Sequence, residues 1–128
     1  MPRTISNQDD TIDSRDVIAR ISELRDECGI FEGDTARWTA ENPADAAELA
    51  ALESLSGEAE GYAPDWHHGE TLIRYSYFTD YAMEMLSDSG ALPRDLPEYI
   101  VIDEEATALN IRTDYTAVEF GDVTYWIR

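Results

Sequence analysis

Apolar residues recur at Val17, Ile18, Ile21 and Leu24, a helical stripe between Ser14, which can cap, and Gly29, which can stop. A second stripe, Leu49, Leu52 and Leu55, follows Asn42 as cap and Pro43 at a first helical position, and predicts an Ala-rich helix to about Gly57. Residues 30–41 between them lack a period and read as a loop anchored by Trp38. Thr71–Tyr75 fits a short strand. Phe78, Ala82, Met85 and Leu86 then give the inward side of a helix that Ser76 or Thr79 can cap and Gly90 ends.

The C-terminal third changes period. Leu92 to Pro97 is turn-rich, Tyr99–Ile102 is β-prone, and Asp103 caps a short helix through about Ile111 with Glu104 and Glu105 in its first turn. Two β-prone runs flank Gly121–Asp122 and predict a hairpin with Val118, Phe120, Val123, Tyr125 and Ile127 on its apolar side. Residues 1–12, polar and flexible in composition, read as an arm. The expected fold is α+β: one small domain over residues 13–128, with several helices and a short antiparallel sheet that includes the C-terminal hairpin. A 43% hydrophobic content is enough to build a modest core for it.

Charge changes this picture most. The chain has 28 Asp and Glu against nine Lys and Arg, all of them Arg, for a net −19. The excess is spread evenly, −10 over residues 1–64 and −9 over residues 65–128, so the folded body itself is negative. Such a body repels nucleic acid and anionic lipid. Solubility or adaptation to high salt explains the excess blandly. The sharper explanation is imitation: about 30 Å of duplex DNA carries about 18 phosphate charges, at one per roughly 1.7 Å of axis.

Candidate chemistry is sparse by comparison. His67 and His68 are neighbours and do not share a face in a helix or a strand, so a joint metal site is not expected. Cys28 ends an apolar stripe and reads as a packed thiol. Neither a phosphate-cradling glycine loop nor a nucleophile elbow is present. The reading is of a protein that is not an enzyme, binds no cofactor or metal, and spends its life soluble in the cytoplasm. No apolar run approaches membrane-spanning length.

Asp80, Glu84 and Asp88 stand four apart, which on a helix gives a row of carboxylates about 6 Å apart, away from the apolar side. Asp95 and Glu98 in the following turn, and Asp103, Glu104 and Glu105 at the next helix start, continue the acidic series. Asp45, Glu48 and Glu53 on the Ala-rich helix have no basic residue in their own segment and could extend it.

The order of residues over about 70–128 resembles a known family. Gly90 and Leu92 precede LPEYI, then DEEATALNI, then DYTAVEFGDVTYWIR. This is similar to the last domain of ArdA-type antirestriction proteins of plasmids, transposons and phages, matched at Gly90, Leu92, Pro97, Glu98, Asp103, Glu105, Ala106, Ala108, Asp114, Tyr115, Val118, Gly121, Tyr125 and Arg128. Residues 1–65 do not resemble that family's earlier domains. The resemblance implies a DNA mimic whose carboxylates occupy the DNA-binding site of a type I restriction–modification enzyme in a bacterial host. An anti-CRISPR protein blocking an effector's DNA channel, or an acidic adaptor on a basic protein, would share the charge. A homodimer through the edges and aromatic residues of the C-terminal hairpin is the further expectation.

Overall fold

The computed structural model describes residues 5–29, 34–92 and 95–128. In chain order it contains β1 (Thr11–Asp13), α1 (Ser14–Gly29), α2 (Thr35–Glu41), α3 (Pro43–Glu60), β2 (Thr71–Arg74), α4 (Phe78–Asp88), α5 (Glu104–Arg112), β3 (Thr116–Phe120) and β4 (Val123–Ile127). The fold is the expected small α+β domain. Its four strands form one antiparallel sheet in the order β1-β2-β4-β3.

Alternation along the strands divides the molecule into three layers. Ile12, Leu72, Val118, Phe120, Tyr125 and Ile127 point to one face, where Val17, Ile21 and Leu24 of α1, Trp38 of α2 and Leu52, Leu55 and Ala59 of α3 cover them. Ile73 and Trp126 point to the other, under Phe78 and Ala82 of α4 and Ala108 of α5. Phe78 closes this smaller core edge-on against Tyr115, with ring centroids 5.1 Å apart. The sheet therefore separates the helices into two groups, and with them the acids they carry.

The hairpin forms as its pattern predicts, Phe120 opposite Val123, with Gly121 at a φ of 62° where a side chain would be strained. The end of α4 also follows the sequence: Ala91 N–H reaches back to Leu86 O over Gly90, whose φ is 76°. Asp103 caps α5, its Oδ1 accepting from Ala106 N–H at 3.0 Å.

Several expectations are corrected. Residues 5–12 are not a free arm, and residues 1–4 lie outside the described residues. Ile5 and Ile12 are buried, β1 pairs with β2, Arg74 Nε donates to Asn7 O at 2.9 Å, and the Tyr125 hydroxyl donates to Asp9 O at 2.6 Å. Two isoleucines and a distant phenol are enough to seat a segment of polar composition. The expected loop at 30–41 contains α2, started by Asp34 accepting from Arg37 N–H at 3.0 Å; residues 30–33 lie outside the described residues. Helix α3 runs through Gly57 to Glu60. Asn42 makes no side-chain cap, its amide donating instead to Trp38 O.

Ser14 is not the cap expected of it either. Asp13 Oδ1 accepts from Arg15 N–H at 2.9 Å, while the buried Ser14 hydroxyl donates to Trp66 O at 2.8 Å and accepts from Glu70 N–H at 2.7 Å. That hydroxyl fastens the start of α1 to the segment entering β2. At α4 neither Ser76 nor Thr79 caps; Tyr77 holds that position without a side-chain bond. The β-prone run Tyr99–Ile102 forms no strand, because no neighbour offers it a ladder, and Tyr99 to Val101 lie exposed.

The C-terminal hairpin has fewer free edges than expected. β4 lies inside the sheet, so only β3 is an edge, and there Glu119 N–H donates to Glu58 Oε1 of α3 at 3.0 Å. Phe120 and Tyr125 are turned into the core rather than outward.

Candidate functional site

Helix α4 is amphipathic in the sense the sequence requires. Phe78 and Ala82 are buried, Met85 and Leu86 half-buried, and Asp80, Glu84 and Asp88 all exposed on another side. Glu84 accepts from the Tyr77 hydroxyl at 3.2 Å, and that hydrogen bond, with burial and the same charge behind it, raises the Tyr77 pKa. Glu84 and Asp88 border a shallow surface depression with Tyr81 and Met85.

Helix α5 packs beside α4 in the same layer. Its first turn presents Glu104 and Glu105 to solvent, where the positive end of the helix favours carboxylates. Asp103 is exposed but committed to its own helix as the cap. Asp95 and Glu98, in the segment before α5, are exposed as well. Among the described residues, none of Asp80, Asp88, Asp95, Glu98, Glu104 and Glu105 is ion-paired.

The α3 acids stand elsewhere and in another condition. They lie across the sheet, and two of the three are taken up by α1. Arg20 grips Glu48 through two bonds, Nε to Oε2 at 2.7 Å and Nη2 to Oε1 at 3.0 Å, and Arg25 holds Glu53 at 2.6 Å. Asp45 is half-buried in the first turn of α3. The expectation that Asp45, Glu48 and Glu53 extend one acidic track with α4 and α5 is therefore corrected: the sheet separates them, and basic partners come from a helix 28 residues earlier.

Charge by itself does not choose between the layers, since residues 14–60 carry −8 and residues 78–112 carry −6. Arginine use does. Arg15, Arg20, Arg25 and Arg37 all bind carboxylates on the α1–α3 side or at its entrance, whereas Arg112 on the other side lies over the Trp126 ring, 4.6 Å from its centroid. Among the described residues, no arginine is ion-paired with an acid of the α4–α5 side.

A cavity of about 490 Å³ opens between α1 and α3 and is lined by Ser22, Arg25, Asp26, Glu53, Glu60 and His67. Arg25 is engaged within it by Glu53, and His67 Nε2 lies 2.8 Å from Glu60 Oε1. Cys28 is half-buried against the main core, with Sγ 3.9 Å from Thr35 Oγ1. No group of three or more His, Cys, Asp or Glu among the described residues is arranged to hold a metal ion, and no helix among them is long and apolar enough to cross a membrane.

Sequence reasoning missed Glu58, because a carboxylate serving a strand edge 61 residues away has no local signature. It also missed Ser14 and Tyr125 as fasteners, whose partners are equally remote. Comparison of the chain with family models, with curated proteins and with solved structures finds no match.

Proposed function

We propose that this protein is a DNA mimic that inhibits a bacterial DNA-binding defence enzyme by occupying its DNA site, with type I restriction–modification as the first target. The observation that carries the reading is the contrast between the two helical layers. Glu23, Glu41, Glu48 and Glu53 on the α1–α3 side are tied to arginines, while Asp80, Asp88, Asp95, Glu98, Glu104 and Glu105 stand exposed without ion-pair partners among the described residues. Such a surface suits Lys and Arg evolved to receive phosphates. The net charge of −19 and the resemblance of residues 70–128 to ArdA-type proteins support the same reading. The mechanism is competitive occupancy without chemistry, in the bacterial cytoplasm where such enzymes work.

Long-range attraction would draw the two proteins together, and added salt would weaken it, because the Debye length shortens from about 10 Å at 0.1 M to about 3 Å at 1 M. The deciding experiment is competition: a fluorescent duplex bound to a purified type I methyltransferase is titrated with this protein at two salt concentrations. Salt-sensitive displacement is expected. Absence of displacement at low salt removes that target, and the same assay with a CRISPR effector then tests the neighbouring alternative.

An acidic adaptor on a basic protein is the second reading, favoured by the exposed apolar residues Tyr99, Ile100 and Val101 beside the acids. It differs in one outcome: an adaptor binds its partner without displacing DNA.

A further inference from the structure

Duplex DNA carries no aliphatic strip, yet the acidic side of this protein does. Of the six large hydrophobic residues left exposed among the described residues, five fall from the end of β2 through α5: Tyr75, Tyr99, Ile100, Val101 and Leu109. Single exposed apolar side chains are ordinary, but three in succession, with Tyr99 86% and Val101 85% exposed, are not. The fold makes no use of them. The run has β-prone composition without a strand partner among the described residues, and its backbone makes a turn from Ile100 N–H to Pro97 O at 2.9 Å. Leu109 sits one helical turn after Glu105, and both line a groove of about 260 Å³ together with Tyr75, Phe78, Thr79 and Arg112.

We infer that Tyr99, Ile100, Val101 and Leu109 form the apolar anchor by which this protein holds a basic protein partner, while the carboxylates beside them in sequence steer the approach. The inference rests on the proposed reading and names the part of the interface that charge cannot supply. The occupant follows from charge complementarity. Asp95 and Glu98 precede the strip and Asp103 to Glu105 follow it, so a second copy would bring like charges together, and an anionic membrane is repelled in the same way. A protein surface with cations around an apolar centre satisfies both features at once, the usual anatomy of a dry interface core inside a polar rim. Diffuse electrostatics governs how fast two such surfaces meet, and buried anchors govern how long they stay. The strip would therefore keep the inhibitor seated at salt concentrations where DNA itself departs.

The test uses the full chain, the purified type I methyltransferase and rapid-mixing or surface-binding kinetics at two salt concentrations. Two variants are compared: Tyr99→Ser/Val101→Ser/Leu109→Ser, which removes the anchor and leaves the charge, and Glu98→Gln/Glu104→Gln/Glu105→Gln, which does the reverse. All six side chains are exposed, and thermal melting checks that both variants fold; Tyr99→Ser alone serves where the triple change does not. The apolar variant is expected to dissociate about tenfold faster or more, with association and salt dependence nearly unchanged. The carboxamide variant is expected to associate more slowly and with a shallower salt dependence. A wild-type dissociation rate in the apolar variant overturns the anchor and leaves the DNA-mimic reading standing. Failure of the wild-type protein to bind the methyltransferase at low salt removes that target and, with it, the anchor as assigned to that partner. Sedimentation at about 1 M salt, where charges are screened within about 3 Å, examines the other occupant: a dimer that the apolar variant abolishes assigns the strip to a second copy and overturns the inference.

Discussion

Replacing Tyr125 by Phe removes one oxygen atom and yields two effects of opposite sign. The hydroxyl is buried on β4 and donates to Asp9 O at 2.6 Å, tying the N-terminal segment to the sheet. Losing that bond costs about 1–2 kcal/mol near neutral pH. Burial, aided by the charges of Asp9 and Asp10 and opposed by Arg74, also pushes the phenol from 10.0 up to about 12. A phenol raised in this way keeps its proton in the folded state after the unfolded chain has lost it. Its stabilising contribution is therefore whole below pH 10 and is lost as pH rises from 10 to 12. At 1.36 kcal/mol for each unit, the loss is about 1.4 kcal/mol by pH 11 and approaches about 2.7 kcal/mol above pH 12.

The chain contains no lysine, so tyrosines and one thiol are the side chains that titrate through this window, and subtracting the variant from the wild type removes all but Tyr125. Urea unfolding followed by tryptophan fluorescence is measured for both proteins from about pH 8 to 11.5. The wild type leads by about 1–2 kcal/mol at the start, and the curves meet near about pH 11. A lead that stays constant through pH 11 would refute the argument that burial holds the proton on this phenol.

Other expectations concern fold and surface. Ser14→Ala strands Trp66 O and Glu70 N–H in the interior and should lower stability by about 2–3 kcal/mol in denaturant titration. Gly57→Ala, within α3 and with no atom within 4 Å of the new Cβ, should raise it by about 1 kcal/mol, seen as a higher melting temperature. A double-mutant cycle on Arg20 and Glu48, whose side chains are 15% and 25% exposed, should give a coupling of about 1–2 kcal/mol, against about 0.5 or less for the more exposed Arg25 and Glu53; equal couplings would contradict the role given to burial. Reversing Asp80, Glu84 and Asp88 to Lys should leave stability within about 1 kcal/mol. In the competition assay the same triple variant should raise the concentration for half-displacement about tenfold or more, single reversals doing little.

What the sequence showed plainly was local. The stripe Val17, Ile21 and Leu24, the cap at Asp103 and the hairpin about Gly121 each depend on residues within a turn or two, and each formed. Misreadings arose where the deciding partner is remote. Three residues at Thr11–Asp13 become a strand only because residues 71–73 lie beside them. Tyr99–Ile102 has strand composition and finds no neighbour, so propensity alone did not make a strand. The candidate site divides in the same way. Asp80, Glu84 and Asp88 were legible because an apolar stripe on the same helix fixes which side is wet. Glu48 and Glu53 looked unneutralised because their arginines belong to another helix.

The Glu58 carboxylate on the Glu119 amide has a consequence for life at high concentration. A sheet margin normally tempts other chains to add strands, and repeated addition ends in fibrils. Here a helix supplies an acceptor where a foreign backbone carbonyl would otherwise bind, while the opposite margin is only three residues long. On the proposed reading the protein is a stoichiometric blocker, which must outnumber its target, be made abundantly and stay dispersed. An edge amide already satisfied from within disfavours strand addition at that point and so helps it to accumulate without polymerising.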